Sequence, residues 1–199
     1  MFAQRRMRMV IGCLALIAGS VALTGCGGPE RPLAGSSLGG DFTLIDKTGK
    51  PVRSADFAGK WRLLYFGYTF CPDVCPLDLH NLMLGYHAFA RAHPGAASRA
   101  VPLFITIDPA RDTPQAIGQY AAAFGPELVG LTGSPAQIAT AAKAYAVYYE
   151  KRADTGGGGY RMDHSRAAYL MDPDGQPVAL LPVDESGPAV AAELEKWVR

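Results

Sequence analysis

The sequence predicts an α/β fold, a central mixed sheet flanked by helices and entered through an N-terminal β-hairpin. Three observations predict it. Apolar runs of strand length alternate with stretches of helical periodicity, several of those stretches open on a cap residue followed by proline, and a turn signal near the end folds two strands together. Hydrophobic residues make up 49% of the 199, enough for one substantial core, so one folded domain is expected.

Phe42 to Ile45 and Pro51 to Arg53 flank Asp46-Lys47-Thr48-Gly49 and form the entry hairpin. Arg62 to Tyr68 is a continuous apolar run with aromatics, as a strand covered on both faces requires, and it ends just before Cys71. From Pro76 to about Arg91, Leu79, Leu82, Met83, Tyr86 and Ala90 recur at helical spacing until His93-Pro94-Gly95 stops them, with His93 read as loop. Val101 to Ile107 is a second buried strand. Asp112-Thr113-Pro114 supplies an N-cap and a first-position proline for a helix to Phe124. Leu128 to Leu131 is a short strand, Ser134-Pro135 opens a helix to about Tyr145, and Val147 to Lys151 is a β-branched and aromatic strand followed by a loop, Gly156 to Gly159. Ala167 to Met171 and Pro177 to Leu181 form a hairpin around Asp172-Pro173-Asp174-Gly175, and Pro188 starts a terminal helix. A thioredoxin-like arrangement fits this order best.

The first 25 residues lie outside that core. Arg5, Arg6 and Arg8 precede the apolar run Met9 to Leu23 and small residues follow, the pattern of a secretory signal. The run is shorter than the roughly 20 residues a spanning helix needs. Leu23-Thr24-Gly25-Cys26 resembles the bacterial lipobox, so Cys26 is the expected lipid-bearing residue, and each buried acyl methylene contributes roughly 0.8 kcal/mol to membrane attachment. Residues 26–40, rich in glycine and proline, read as a flexible tether to a domain spanning 41–199. The expected location is that of a membrane-anchored lipoprotein facing the periplasm or another extracytoplasmic space. Loss of the leader removes three arginines and no acid, turning a formal charge of +1 into −2, so no basic excess points to nucleic acid.

Of four cysteines, Cys13 leaves with the leader and Cys26 takes the lipid, which leaves Cys71 and Cys75. Two neighbouring thiols exported to an oxidising compartment call for a reason. Cys71-Pro72-Asp73-Val74-Cys75-Pro76 joins the carboxyl end of a buried strand to a helix, where sheets of this kind hold their ligands. In a first helical turn, Cys75 would meet free N–H groups and the positive end of the helix dipole, which lower a thiol pKa from roughly 8.5. Such thiolates serve as nucleophiles, as metal ligands or in a disulfide, and spacing alone does not choose. A purely structural disulfide is disfavoured, because its entropic benefit shrinks with so short a loop.

His164, 89 residues beyond Cys75 in Met162-Asp163-His164-Ser165, is the candidate third ligand. A lone histidine is more often an ordinary surface or core residue, so these residues by themselves carry the assignment weakly. Asp163 either hydrogen-bonds the imidazole or stands behind the metal, or is a turn residue. The Gly156 to Gly159 tract gives the histidine segment freedom to swing, or is merely a variable hairpin tip. Arg111, on the same strand-end edge as the cysteines, either influences the thiols or is a solvated charge beside a helix cap. His80, His87 and Met83 share helical spacing and are read as ordinary helix residues.

The block Gly67-Tyr68-Thr69-Phe70-Cys71-Pro72-Asp73-Val74-Cys75-Pro76, followed by Asp163-His164-Ser165, resembles the Sco/SenC family of copper-binding proteins. Asp108-Pro109, Arg111-Asp112-Thr113-Pro114, the stretch Tyr145 to Lys151 and Tyr169-Leu170-Met171-Asp172-Pro173-Asp174-Gly175 look like it too, so the resemblance covers the domain from Phe42 onward. It implies a thioredoxin-like fold, copper as Cu(I), Cu(II) or both held by Cys71, Cys75 and His164, and a role in assembling the dinuclear copper centre of cytochrome c oxidase. The oxidase subunit carrying that centre is then the expected partner. Asp73 and Asp163 match family positions beside the three ligands. The glycine tract and a lipid anchor in place of a transmembrane helix are the departures. Two soft thiolates and one imidazole suit Cu(I), whereas structural zinc usually demands four ligands.

Two functions stay open. One is a metallochaperone that binds copper and passes it on. The other is a thiol-disulfide oxidoreductase, in which Cys71 or Cys75 attacks the disulfide of the oxidase copper site or of another exported partner and its neighbour resolves the mixed disulfide. A peroxidase related to the peroxiredoxins ranks last, because Thr69 stands two residues before Cys71 rather than three.

Overall fold

Strands β1 (Thr43–Ile45) and β2 (Pro51–Arg53) form the expected entry hairpin, with Thr43 opposite Arg53. Gly49 takes the left-handed conformation (φ 82°) that its turn requires. The computed structural model describes residues 30–153 and 159–199. The leader, Cys26 and Gly156 to Gly158 lie outside the described residues.

Strand β3 (Trp61–Gly67) is the middle of a five-stranded sheet, and all of its residues are buried. On one side β4 (Ala100–Thr106) runs parallel to it and β5 (Val129–Leu131) parallel to β4. On the other side β8 (Ala168–Met171) runs antiparallel to β3 and β9 (Pro177–Leu181) antiparallel to β8, which makes the sheet mixed. The core centres on Leu63, Leu64, Phe66, Leu103, Phe104 and Leu170, all but inaccessible to water.

Helices α1 (Val74–Ala92) and α5 (Gly187–Trp197) pack against each other, and after the non-helical His93 the chain enters the single turn α2 (Pro94–Ala97). A side chain at Gly85 would begin 2.6 Å from Val190, so glycine there lets the two long helices close up. Helix α3 (Pro114–Ala122) covers β5, and α4 (Pro135–Ala144) lies against β1. Thr113, Ser134 and Ser186 cap α3, α4 and α5, each side-chain oxygen accepting a first-turn N–H.

The structure departs from expectation at four places. Helix α1 begins at Val74 rather than Pro76, which puts Cys75 in its first turn. His93 is the non-helical residue expected (φ −133°, ψ 61°), but the Pro94-Gly95 behind it opens the helical turn α2, because Pro94 is pre-set for a first helical position. The strand expected at Val147 to Lys151 is β6 (Tyr149–Ala153), outside the main sheet and paired only with β7 (Tyr160–His164) in an antiparallel ribbon. Charged Glu150, Lys151, Arg152, Arg161 and Asp163 keep the outer face of that ribbon in water, and β7, which sequence reading passed over, alternates them with the half-buried Tyr160, Met162 and His164. Residues from Arg31 to Gly39, expected in the tether, are tied down: Leu33 N donates to Val178 O (3.1 Å), Gly39 N donates to Ala144 O (2.8 Å), and Leu38 packs on the core. The packed unit therefore starts ahead of Asp41.

Candidate metal centre

The chain that leaves β3 is pinned before it reaches the first thiol. Thr69 donates from its backbone N (3.0 Å) and its hydroxyl (2.6 Å) to Asp112, and Thr106 Oγ1 at the end of β4 donates to the same carboxylate (2.5 Å). Asp112 is buried and its pKa is raised by that burial, so it is a cross-link between two strand ends rather than part of the α3 cap, which belongs to Thr113. Cys71 follows, half-buried, and Cys75 N donates to Cys71 Sγ at 3.4 Å. Cys75 is buried over the end of β3, where a side chain on Gly67 would begin 3.0 Å from its sulfur.

His164 comes from the ribbon. It is the last residue of β7, opposite Tyr149, and its Nδ1 lies 2.8 Å from Ser165 O. A carbonyl only accepts, so Nδ1 carries the proton and Nε2 turns a lone pair to the cysteines, 3.2 Å from Cys75 Sγ. The rings of Tyr65 and Tyr68 stand edge-on to the imidazole at 6.4 and 5.9 Å and shield it. One ligand atom from each of Cys71, Cys75 and His164 lies within 4.8 Å of the others, and no other such cluster of three exists among the described residues.

The thiols divide their proton unequally. Hydrogen bonding from the Cys75 thiol first, and then from the backbone N–H groups of Asp73 and Cys75, holds Cys71 down to about 3. The neighbouring Cys71 sulfur and then burial push Cys75 well above the ordinary thiol range. The metal-free site thus favours one thiolate at the half-exposed cysteine, and full ionisation of both needs a cation to replace the shared proton. Behind Cys75, Tyr65 OH donates to Asp78 (2.9 Å), whose carboxylate also takes two bonds from Arg166 (2.7 and 3.1 Å).

The structure brings together Cys71, Cys75 and His164 and separates them from the other candidates. Asp73 is exposed at the N-cap of α1, and its backbone N–H rather than its carboxylate faces the Cys71 sulfur. Asp163 lies on the opposite face of β7 from His164, as strand alternation dictates, and accepts from Arg152 Nε (2.9 Å) instead of approaching the imidazole. His87 pairs with Glu127 and His93 with Glu195, away from the thiols. Arg111 is not a solvated charge. It is enclosed by Asp108, Tyr160 and Phe70. Sequence reasoning also missed Tyr65, Asp78 and Arg166. Asp78 did leave a signal, an acid on the same helical stripe as Cys75 and Leu82 that has to be neutralised if buried.

The SCO1/SenC family model matches residues 30–199. Over 136 residues the chain is 47% identical to a Bos taurus protein described as SCO2 homolog, mitochondrial, an alignment covering 68% of this chain and 50% of that one. The chain thus spans about half the length of the curated relatives it matches. Among solved structures, Arabidopsis thaliana ScoI with copper bound superposes with a TM-score of 0.73 at 38% identity, covering 80% of this chain and 96% of that one. Bradyrhizobium japonicum ScoI with copper bound gives 0.71 at 39% identity, covering 80% and 99%. A match that runs the length of the described domain, joined to this sheet, this cysteine turn and this histidine, makes the chain a member of the SCO1/SenC family.

Proposed function

We propose that the protein is a copper carrier that holds the ion through Cys71, Cys75 and His164 and delivers it to the dinuclear copper centre of cytochrome c oxidase. One observation carries the reading: two sulfurs and an unprotonated imidazole nitrogen, contributed by separate elements, converge within 4.8 Å with a thiolate already favoured at Cys71. Soft thiolates and imidazole select copper in its Cu(I) state, and three donors leave the ion open to ligand exchange. Two relatives solved with copper bound support the choice of metal. Cys71 and His164, the two half-exposed donors, form the edge from which a partner's ligand would approach. A lipid on Cys26 would keep this exchange at a membrane surface, and Cys26→Ala is expected to move the protein from the membrane to the soluble fraction.

The lowered Cys71 pKa also favours a second reading, thiol-disulfide exchange. The Cys71 thiolate attacks a partner disulfide and expels one thiolate. Cys75 then gives up its proton and displaces the second, so the partner gains two thiols as Cys71 and Cys75 become a disulfide. Anaerobic Cu(I) titration of the reduced protein beside His164→Ala, with disulfide exchange on an oxidase-derived peptide measured in parallel, separates the two. Delivery predicts an affinity loss of more than about 100-fold in the variant, the upper end for losing a group that merely orients a ligand. Unchanged affinity with undiminished exchange would sink the three-donor site.

A further inference from the structure

The β6–β7 ribbon carries His164 but shares no ladder with the five-stranded sheet, so other contacts must hold the imidazole over the thiols. We propose that Arg111, together with Asp108 and Tyr160, is a latch that positions His164. Its consequence for the metal rests on the copper reading above, while the latch itself does not.

Both oxygens of the buried Asp108 carboxylate are committed to it: Arg111 Nε donates to Oδ2 (2.5 Å) and Tyr160 OH donates to Oδ1 (2.8 Å). Arg111 Nη1 donates to the carbonyl of Tyr160 (3.1 Å), and the guanidinium lies 3.7 Å from the centre of the Tyr160 ring. Phe70 and Tyr68 border the same guanidinium at 4.7 and 5.6 Å. Asp108 is itself fixed, its N–H donating to Thr106 Oγ1 (2.9 Å), the hydroxyl that also bonds Asp112. One side chain therefore joins the end of β4, the loop ahead of Cys71 and the first residue of β7.

The other end of β7 has its own anchor, since Arg166, two residues past His164, is bound to Asp78. The five residues of β7 hang between these two arginine clamps. Without the latch only Arg166 and the core-side packing of Tyr149 and Met162 would hold the ribbon, which would then be freer to pivot about residues 165 and 166 and carry Nε2 away from Cys75. The bonds between Tyr148 and Ser165 tie the ribbon to itself and do not oppose that motion. Apparent affinity scales with the fraction of molecules whose histidine is in place, so a loosened latch weakens binding without removing any ligand.

The test uses Arg111→Ala and the milder Tyr160→Phe, which removes the bond to Asp108 and keeps the stacked ring. In the metal-free reduced protein, amide hydrogen exchange across Tyr149–Ala153 and Tyr160–His164 is expected to quicken about tenfold in Arg111→Ala and less in Tyr160→Phe, with β3 and β4 unchanged. Cu(I) affinity is expected to fall about 10-fold to 100-fold in Arg111→Ala, the range for losing a group that orients a histidine ligand. The same substitution on a His164→Ala background should cost nothing further. Ribbon exchange that stays at the wild-type rate, or an equal affinity loss on both backgrounds, overturns the latch. Should Arg111→Ala not fold, Tyr160→Phe decides by the same two readouts. If wild type binds Cu(I) no more tightly than His164→Ala, the copper reading has failed, and the exchange rates still judge the latch.

Discussion

The two halves of the site are built from opposite materials. Cys71 and Cys75 follow a strand buried along its whole length and open a 19-residue helix, whereas His164 ends a five-residue strand in a charged, largely exposed ribbon. On the first side, hydrophobic burial fixes position and the thiols cannot move without the core. On the second, a few polar and stacking contacts do the fixing, and their loss leaves the fold intact. The comparison teaches that this site combines a rigid pair of donors with an adjustable third. In the proposed copper carrier such a division would let the third ligand withdraw while the thiols stay in register.

Breaking the rigid half should give the largest effect. Leu64→Ala, in the middle of β3 and fully buried, is expected to lower unfolding free energy by about 2–5 kcal/mol in denaturant melts while leaving the Cu(I) stoichiometry of the folded protein unchanged. The adjustable half should respond in the opposite sense. His164→Ala, expected to cost copper affinity heavily, should change the melt of the metal-free protein by less than about 1 kcal/mol, since the residue is only half-buried and its strand is outside the main sheet. A stability loss there equal to that of Leu64→Ala would erase the distinction between the halves. Asp163→Asn should be the smallest of all, within about 0.5 kcal/mol in stability and without effect on Cu(I) affinity, because its carboxylate meets Arg152 on the far face. A clear affinity loss would bring Asp163 back to the site.

The difference between the halves also explains what could be read in advance. The sheet strands, the caps at Thr113 and Ser134, the last helix opened near Pro188 and the two final strands followed from apolar runs, cap residues and turn signals, all of which act within a few residues. The thiol pair was legible for the same reason, since four residues of separation at a strand-to-helix turn already limit where two sulfurs lie. The ribbon was harder to read: β7 does alternate Tyr160, Met162 and His164 with Arg161 and Asp163, but only two of those residues are apolar and β6 is charged along most of its length, so the period is short and weak. Arg111 looked like a cap-side charge because its partners Tyr160 and Phe70 lie on either side of it in sequence, far from any local pattern.

By itself the sequence determined the class of fold, the order of the main-sheet strands and the longer helices, and the juxtaposition of Cys71 with Cys75, since burial, capping and turn chemistry operate over short stretches of chain. His164 entered from a motif shared with a family. Only the tertiary structure decided that its Nε2 faces Cys75, that Asp163 faces away, and that Arg111 and Arg166 clamp the strand between them. These facts depend on contacts between residues as many as 89 positions apart, and such contacts are set by how the elements pack, a property that no local stretch of sequence contains.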